Sequence, residues 1–519
     1  MTDPTTDPTI DPTIHPIEPV GDDYPVDDND GAARKSKITA RGAAIVGVRV
    51  VAGTVGIAAA LAAIAGATFL PIPVISATPA SVDVTPVATA QELVCPGALL
   101  RLGDETGQQA TTSSPIGAPS VRYGSTSDGA VDTQALEQSD AGSGGTQSAP
   151  TQIRSTATGD DVIVAGAQAQ TANLDDFGGL ATANCAGVAT ETWLVGGSTA
   201  VGRTTLITLA NPSDTVSTVS LAISSENGKV AAPGVTGIVV QPHGQRVLPL
   251  AGFAPGIDSP AVRVTSRGGQ IVANLQQATV RGIDAGGADF VGAARAPATT
   301  QVIPGVRVTN TDIVQSWLGQ EGYSDLATVL RLFAPGGEDT MAEVTVTSQD
   351  AAAAGASFSV DLVAGVVNDL TLDGLVDGTY TVQVTASQPV VAGVRVSTVA
   401  ASVDPESTPA SDFAWLQSVD ALNDRALVTI APGGGARVNL VNPRDTEAQV
   451  TLEATGGEDI AVTVPANGAA SVNVASSETY LIRDFDRLYG AVSYADGSNV
   501  SGYAIAPPAA SAGEITVFP

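Results

Sequence analysis

One phrase, written three times, constrains the fold more than any other feature of the chain. Residues 209–215 read LANPSDT, residues 440–446 read LVNPRDT, and a worn copy, LFAPGGEDT, stands at 332–340. Each copy lies between runs that alternate apolar and polar residues: TTLITL and VSTVSLAIS around the first, TVLRL and AEVTVTS around the second, ARVNL and AQVTLEAT around the third. A period of two is the pattern of a strand with one buried face. Asn-Pro ends such a strand, because Asn accepts a turn and Pro fixes φ while lacking the N–H that the sheet would need. The acid two residues past the Pro is placed to cap turn amides, and Thr opens the next strand. Farther on, QPHGQ and PANGA each make a second turn in which Gly is expected to take a positive φ.

Short strands with turn signals at near-regular spacing predict β-sandwiches, and units of roughly 70 residues favour immunoglobulin-like strand counts. Three tandem immunoglobulin-like β-sandwich modules are expected, at 191–297, 298–403 and 404–519. Tryptophan supplies a second echo. Trp193, Trp317 and Trp415 are each followed by Leu, and each lies shortly before its module's first strand. A Trp at one place in a repeat packs a core or a junction; the alternative is a platform on which a sugar ring stacks.

The N-terminal part reads differently. Residues 1–30 repeat an Asp-Pro-Thr phrase, and proline every few residues among acids predicts a disordered tail over 1–43. Thr5, Thr9 and Thr13 in it are candidate phosphorylation sites. Residues 50–70 are 21 in number and carry no charge, enough for a transmembrane helix within 44–70. The five early bases (Arg34, Lys35, Lys37, Arg41, Arg49) all precede this span, and no further Lys or Arg occurs before Arg101. That asymmetry predicts a cytoplasmic N-terminus and an extracellular remainder, a single-pass protein of the plasma membrane. A Pro-rich stalk is expected at 71–90, then a β region at 91–190 interrupted by a polar, flexible insertion at 104–152. Cys95 and Cys185 are the only cysteines and fall outside the membrane, so one disulfide between them is expected. The fold class is thus mainly β: one N-terminal transmembrane helix, a disulfide-clipped β region and three modules.

Composition narrows function by exclusion. Nine of the 53 acids and five of the 23 bases precede residue 50, so the remainder carries a net charge of −26. Such a surface repels phosphate backbones, and nucleic acid is excluded as a partner. His15 and His243 are the only histidines, and no Gly-x-Ser-x-Gly elbow or phosphate-cradling Gly-rich loop ending in Lys is present. No catalytic, metal or cofactor residues are therefore assigned. Carboxylate chemistry on a glycan would need two acids facing a cleft, and no pair stands out. The C-terminal EITVFP carries no LPxTG-like sorting signal, which leaves tethering to the N-terminal span.

LVCPGALLRL, the run from Cys185 to Trp193-Leu-Val-Gly-Gly, and the two Asn-Pro turns together resemble a family of actinobacterial membrane-anchored extracellular proteins. That family is a domain of unknown function, often encoded beside a large glycosyltransferase. The resemblance implies an envelope location and a connection with surface polysaccharide, and it brings no catalytic residues. The expectation is a non-enzymatic scaffold or interaction protein of cell-wall or surface-polysaccharide assembly, with envelope proteins or cell-wall glycan as partners and no cofactor. An extracellular glycan-binding array is the alternative.

Overall fold

The computed structural model describes residues 82–84, 91–103, 112–127, 131–142, 145–157, 162–349, 355–401, 408–508 and 515–517. The expected tail, with Thr5, Thr9 and Thr13, and the expected transmembrane helix lie outside the described residues. Among the described residues no helix is long and apolar enough to cross a membrane. The described chain is mainly β, with one α-helix, α1 (Thr311–Leu318).

Beyond residue 190 one eight-strand order is built three times. In the first repeat, β1 (Glu191–Val195), β2 (Arg203–Asn211), β3 (Ser217–Ser225), β4 (Ile238–Val240), β5 (Gly244–Pro249), β6 (Ala261–Arg267), β7 (Val272–Arg281) and β8 (Asp284–Val291) make two sheets. Their orders are β1-β6-β3-β4 and β8-β7-β2-β5. The second repeat comprises β9 (Ala298–Val308), β10 (Val329–Phe333), β11 (Thr340–Ser348), β12 (Ala356–Leu362), β13 (Val367–Thr371), β14 (Gly378–Val399) and β15 (Ser411–Gln417). Here the 22-residue β14 fills both the sixth and the seventh place. Its first half pairs with β9 and β11, its second half with β10 and β15. The third repeat comprises β16 (Ala426–Thr429), β17 (Arg437–Asn442), β18 (Ala448–Ala454), β19 (Ile460–Val464), β20 (Gly468–Asn473), β21 (Thr479–Arg483), β22 (Arg487–Asp496) and β23 (Asn499–Ala504). It returns to β16-β21-β18-β19 and β23-β22-β17-β20. In every repeat the thrice-written phrase joins the second strand to the third.

The phrase is held by its asparagine. Asn211 and Asn442 end β2 and β17 and are buried. Each Oδ1 accepts the N–H two residues on, from Ser213 at 3.1 Å and Arg444 at 3.0 Å. Each Nδ2 donates to a carbonyl four residues on, Thr215 at 2.7 Å and Thr446 at 2.8 Å, and to the facing strand at Val240 or Val464. The second repeat has the buried Ala334 at this place and closes the turn otherwise. There Asp339 Oδ1 accepts from Ala364 N and Thr340 Oγ1 accepts from Gln388 N, both at 2.9 Å. The acid caps an amide only in this worn copy; in the first repeat Asp214 instead meets His243 Nε2 at 2.8 Å.

The second turn corrects the expected placement of glycine. Gly244, Val366 and Gly468 each donate N–H to the carbonyl three residues back at 3.2 Å. The left-handed residue is the one before: His243 (φ 50), Gly365 (φ 78) and Asn467 (φ 48). His and Asn tolerate that conformation better than most side chains. The glycine after Asn467 has a different task, since a Cβ there would stand 3.0 Å from that of Pro465.

The Trp-Leu echo does not mark one structural position. Trp193 lies in β1, Trp317 in α1, which follows β9, and Trp415 in β15, the last strand of the second repeat. All seven residues of β15 are buried. One face, Phe413 and Trp415, enters the core between the first repeat's sheets; the other, Ala414 and Leu416, enters the second repeat's core beside Val500. Residues 82–517 accordingly form one compact unit.

The region before residue 190 is joined by Cys95–Cys185 and packed onto this frame. Ala167, Ala169 and Leu180 contribute to the third repeat's core. The run CPGALL is held by glutamine side chains acting as substitute backbone. Gln168 exchanges two bonds with Gly97 (3.0 and 2.7 Å), and Gln276 two with Leu100 (2.8 and 2.6 Å). Within the expected flexible insertion, Ser120–Ser125 pairs with Val164–Leu174 and Val131–Ala135 with Thr151–Ser155. These strands expose side chains on both faces, so they carry no apolar alternation to read. In the expected stalk, Val82–Val84 pairs antiparallel with Ile515–Val517.

Candidate functional site

The third repeat carries a concavity of ≈ 750 Å³ between its Asn-Pro turn, the start of β18 and the β21–β22 connection. Four arginines (Arg425, Arg444, Arg483, Arg487) and four acids (Asp424, Glu447, Asp484, Asp486) line it, with Gln449 among them. The asparagine bonds described above fix the backbone from which Arg444 projects. Arg444 pairs across the groove with Asp486, while Arg483 pairs with Glu453 at 2.7 Å and Asp484 at 3.4 Å. Asp424 (φ 65) and Asp484 (φ 70) hold left-handed backbone at its rim. Such a conformation costs a non-glycine residue about 1–3 kcal/mol and persists where the surroundings impose it. Solvent-exposed pairs contribute only ~0–1 kcal/mol each, so these guanidiniums and carboxylates can exchange partners for ligand oxygens.

Nothing in the sequence reading picked out this groove, although a signal exists. Each of its arginines is adjacent in sequence to an aspartate: Asp424-Arg425, Arg444-Asp445, Arg483-Asp484, Asp486-Arg487. Four of the five bases beyond residue 400 thus belong to Asp/Arg doublets that the topology gathers in one place.

The residues singled out from the sequence lie elsewhere and apart. Cys95 and Cys185 are bonded and buried. Trp193 is 7% exposed; its Nε1 donates to Glu191 at 3.0 Å, and its ring lies 6.0 Å from that of Phe333 in the second repeat. Trp415 is 2% exposed; its Nε1 donates to Gln277 at 2.8 Å, and the guanidiniums of Arg331 and Arg395 stand 4.8 and 5.9 Å from its ring. Trp317 is half-buried on α1 against Tyr323. His243 occupies the turn already described.

The most perturbed charges are internal. Arg331 is 2% exposed and uses its whole guanidinium. Nε and Nη2 grip Asp369 at 2.7 and 2.8 Å, Nη1 donates to Gly197 O and Pro260 O, and Nη2 also to Asp258 O. The second repeat is thereby bolted to loops of the first. Asp325 meets Arg203 at 2.8 Å and Arg281 at 2.9 Å. Burial pushes the Asp325 carboxyl up, but Arg281, Arg395 and Arg203 outweigh it and hold it below the usual range. Asp369 behaves likewise through Arg331.

Asp289 and Asp412 go the other way. Asp289 accepts from Trp415 N and Ser501 Oγ, both at 2.8 Å; Asp412 accepts from Leu180 N at 3.0 Å and Val500 N at 3.2 Å. Burial pushes both carboxyls well above the usual range, and no cation offsets it. At 0% and 1% exposure neither faces a cleft. Between them they stitch the first, second and third repeats to the disulfide-linked region. Among the described residues no group of three or more His, Cys, Asp or Glu is placed to hold a metal ion.

No curated protein matches the chain. A family model, "Family of unknown function (DUF5719)", matches residues 139–478, which run from the disulfide-linked region through the first two repeats and the third as far as the residue before β21. The chain belongs to this family of unknown function.

Proposed function

We propose that the chain is a non-enzymatic protein of an actinobacterial cell envelope, a scaffold or interaction protein in cell-wall or surface-polysaccharide assembly beside a glycosyltransferase. In this reading residues 50–70 cross the plasma membrane once, the N-terminus is cytoplasmic and the rest lies outside. The three repeats are then tandem β-sandwich modules of immunoglobulin-like kind. The observation that carries the reading is the bolting of the repeats to one another: the buried guanidinium of Arg331 and the buried carboxyls of Asp289 and Asp412 have partners on the segments they join. A frame built this way holds attached partners at fixed spacing. The Cys95–Cys185 bond supports the outer compartment, where thiols oxidise. Photo-crosslinkers at exposed positions such as Val201 and Val376, in living cells of the source organism, are expected to capture envelope proteins reproducibly. Capture of cytosolic proteins alone would refute the envelope placement.

Glycan binding is the second reading, favoured by the groove of mixed guanidiniums and carboxylates on the third repeat. The full chain in detergent is then expected to sediment saturably with protein-stripped cell walls and to be released by free wall polysaccharide. Failure to sediment at physiological salt would remove it.

A further inference from the structure

We infer that the groove of the third repeat is a recognition site for an acidic saccharide, a sugar chain bearing carboxylates among its hydroxyls. The inference rests on the glycan-binding reading and names its site and ligand class. The first repeat has the same turn, and there a pair of glycines closes the corresponding space.

In the first repeat the chain leaves β6 as Arg267-Gly268-Gly269, and it lies directly on the Asn-Pro turn. A Cβ at Gly268 would fall 2.5 Å from Val216 O, and one at Gly269 would fall 2.4 Å from Ser217 Oγ and 2.8 Å from Ser213 Oγ. Only glycine fits so close, and the space is shut. The third repeat replaces that pair with Asp484-Phe485-Asp486, whose side chains forbid the same approach. Strand pairing records the difference. β3 pairs with β6 as far as Thr218↔Arg267, whereas β18 and β21 stop at Thr451↔Arg483, two residues farther from the turn. The gap is the groove, with Ala448 and Gln449 among its lining residues.

What fills the opening is chemically mixed. Arg444 stands where the first repeat has Ser213, a residue that there only closes its own turn by bonding Asn211 and Thr215. Arginine donates in a planar fork that matches a carboxylate or a pair of neighbouring hydroxyls, and aspartate accepts from hydroxyls. A neutral apolar ligand would cover these charged groups and offer them no partner in place of water. A purely anionic one would use the guanidiniums and meet the acids as repulsion. A saccharide with carboxylates satisfies both sets. The net −26 beyond residue 50 does not forbid it, because charges farther than about 8 Å are largely screened at physiological salt.

The test uses the full chain in detergent and an oligomer of galacturonic acid, with the neutral galactose oligomer as comparison, followed by titration calorimetry. Binding of the acidic oligomer is expected, at least tenfold weaker in Arg444→Ser and in Arg487→Gln, unchanged in Lys229→Gln, and weakened by added salt. Melting temperatures check that the variants fold. Gln449→Trp, which obstructs the groove without removing charge, is expected to abolish binding on its own. Equal affinity for the neutral oligomer, or acidic-oligomer binding untouched by all three groove variants, would overturn the inference. So would a chain that sediments with walls yet ignores the acidic oligomer, an outcome that spares the glycan reading. A chain that does neither would remove both.

Discussion

Asn442 and Asp445 stand three residues apart in one turn and carry unequal weight. Asn442 is buried and bonded on both ends of its amide, while Asp445 is exposed. Removing a buried bonded group strands its partners, so Asn442→Ala is expected to cost about 2–3 kcal/mol in denaturant unfolding, and Asp445→Ala less than ~0.5 kcal/mol. The sequence pointed to this asparagine because Asn before Pro has one reading, a strand-closing turn. The amide-capping expected of the acid holds for Asp339 and not for Asp214, since a carboxylate in a turn can bond an amide or a histidine and spacing does not choose. Asp412 lies beyond such reading altogether: nothing in SDFAWLQ announces that its carboxyl is sealed among four chain segments. Its consequence is a pH dependence with a definite sign. A carboxyl raised in the fold and ordinary in the unfolded chain keeps its proton while folded, and loses it on unfolding, at any pH between the two values. The stability this gives is complete below about 3.9, the unfolded value, and is lost as pH rises through the folded one. Asp412→Asn keeps the shape and does not titrate. Its melting temperature is expected to fall less steeply with rising pH than that of the unaltered chain, and parallel curves would show that Asp412 is ionised in the fold.

At the scale of elements, β10 explains why a charged residue belongs in an apolar strand. Leu330 and Leu332 face the second repeat's core, so the alternation sends Arg331 to the opposite side, where carbonyls of the first repeat receive it. Arg331→Ala leaves Asp369 buried without its cation and three carbonyls without their donor. A loss of about 3–5 kcal/mol is expected by chemical denaturation, and a loss below ~1 kcal/mol would mean that the contact forms too little to matter. Alternation made the strands around each Asn-Pro phrase legible because one face of each is buried and the other is not. It failed for Ser120–Ser125 and Val131–Ala135, exposed on both faces, and for α1, which spans eight residues and has only Val314 buried. The groove escaped for another reason: its four arginines are near one another only after β16, β17, β21 and β22 are in place.

On the scale of the whole molecule, the repeats are not independent bodies joined by linkers. β15 lends alternate side chains to two cores, and the disulfide-linked strands complete a third. Calorimetry of the folded unit is therefore expected to give one cooperative transition whose calorimetric and van't Hoff enthalpies agree; three resolved transitions would contradict the shared cores. The strand-closing phrase was legible because each of its copies is local, whereas the sharing was not, since it depends on where residue 415 goes and not on what surrounds it. Order of synthesis follows from that same ring. A ribosome delivers the first repeat's strands by residue 291, yet Trp415, which closes that repeat's core, comes more than a hundred residues later. Until then the nascent chain holds a half-built interior with a ring-sized vacancy, and the early repeats can become native only together with the late ones.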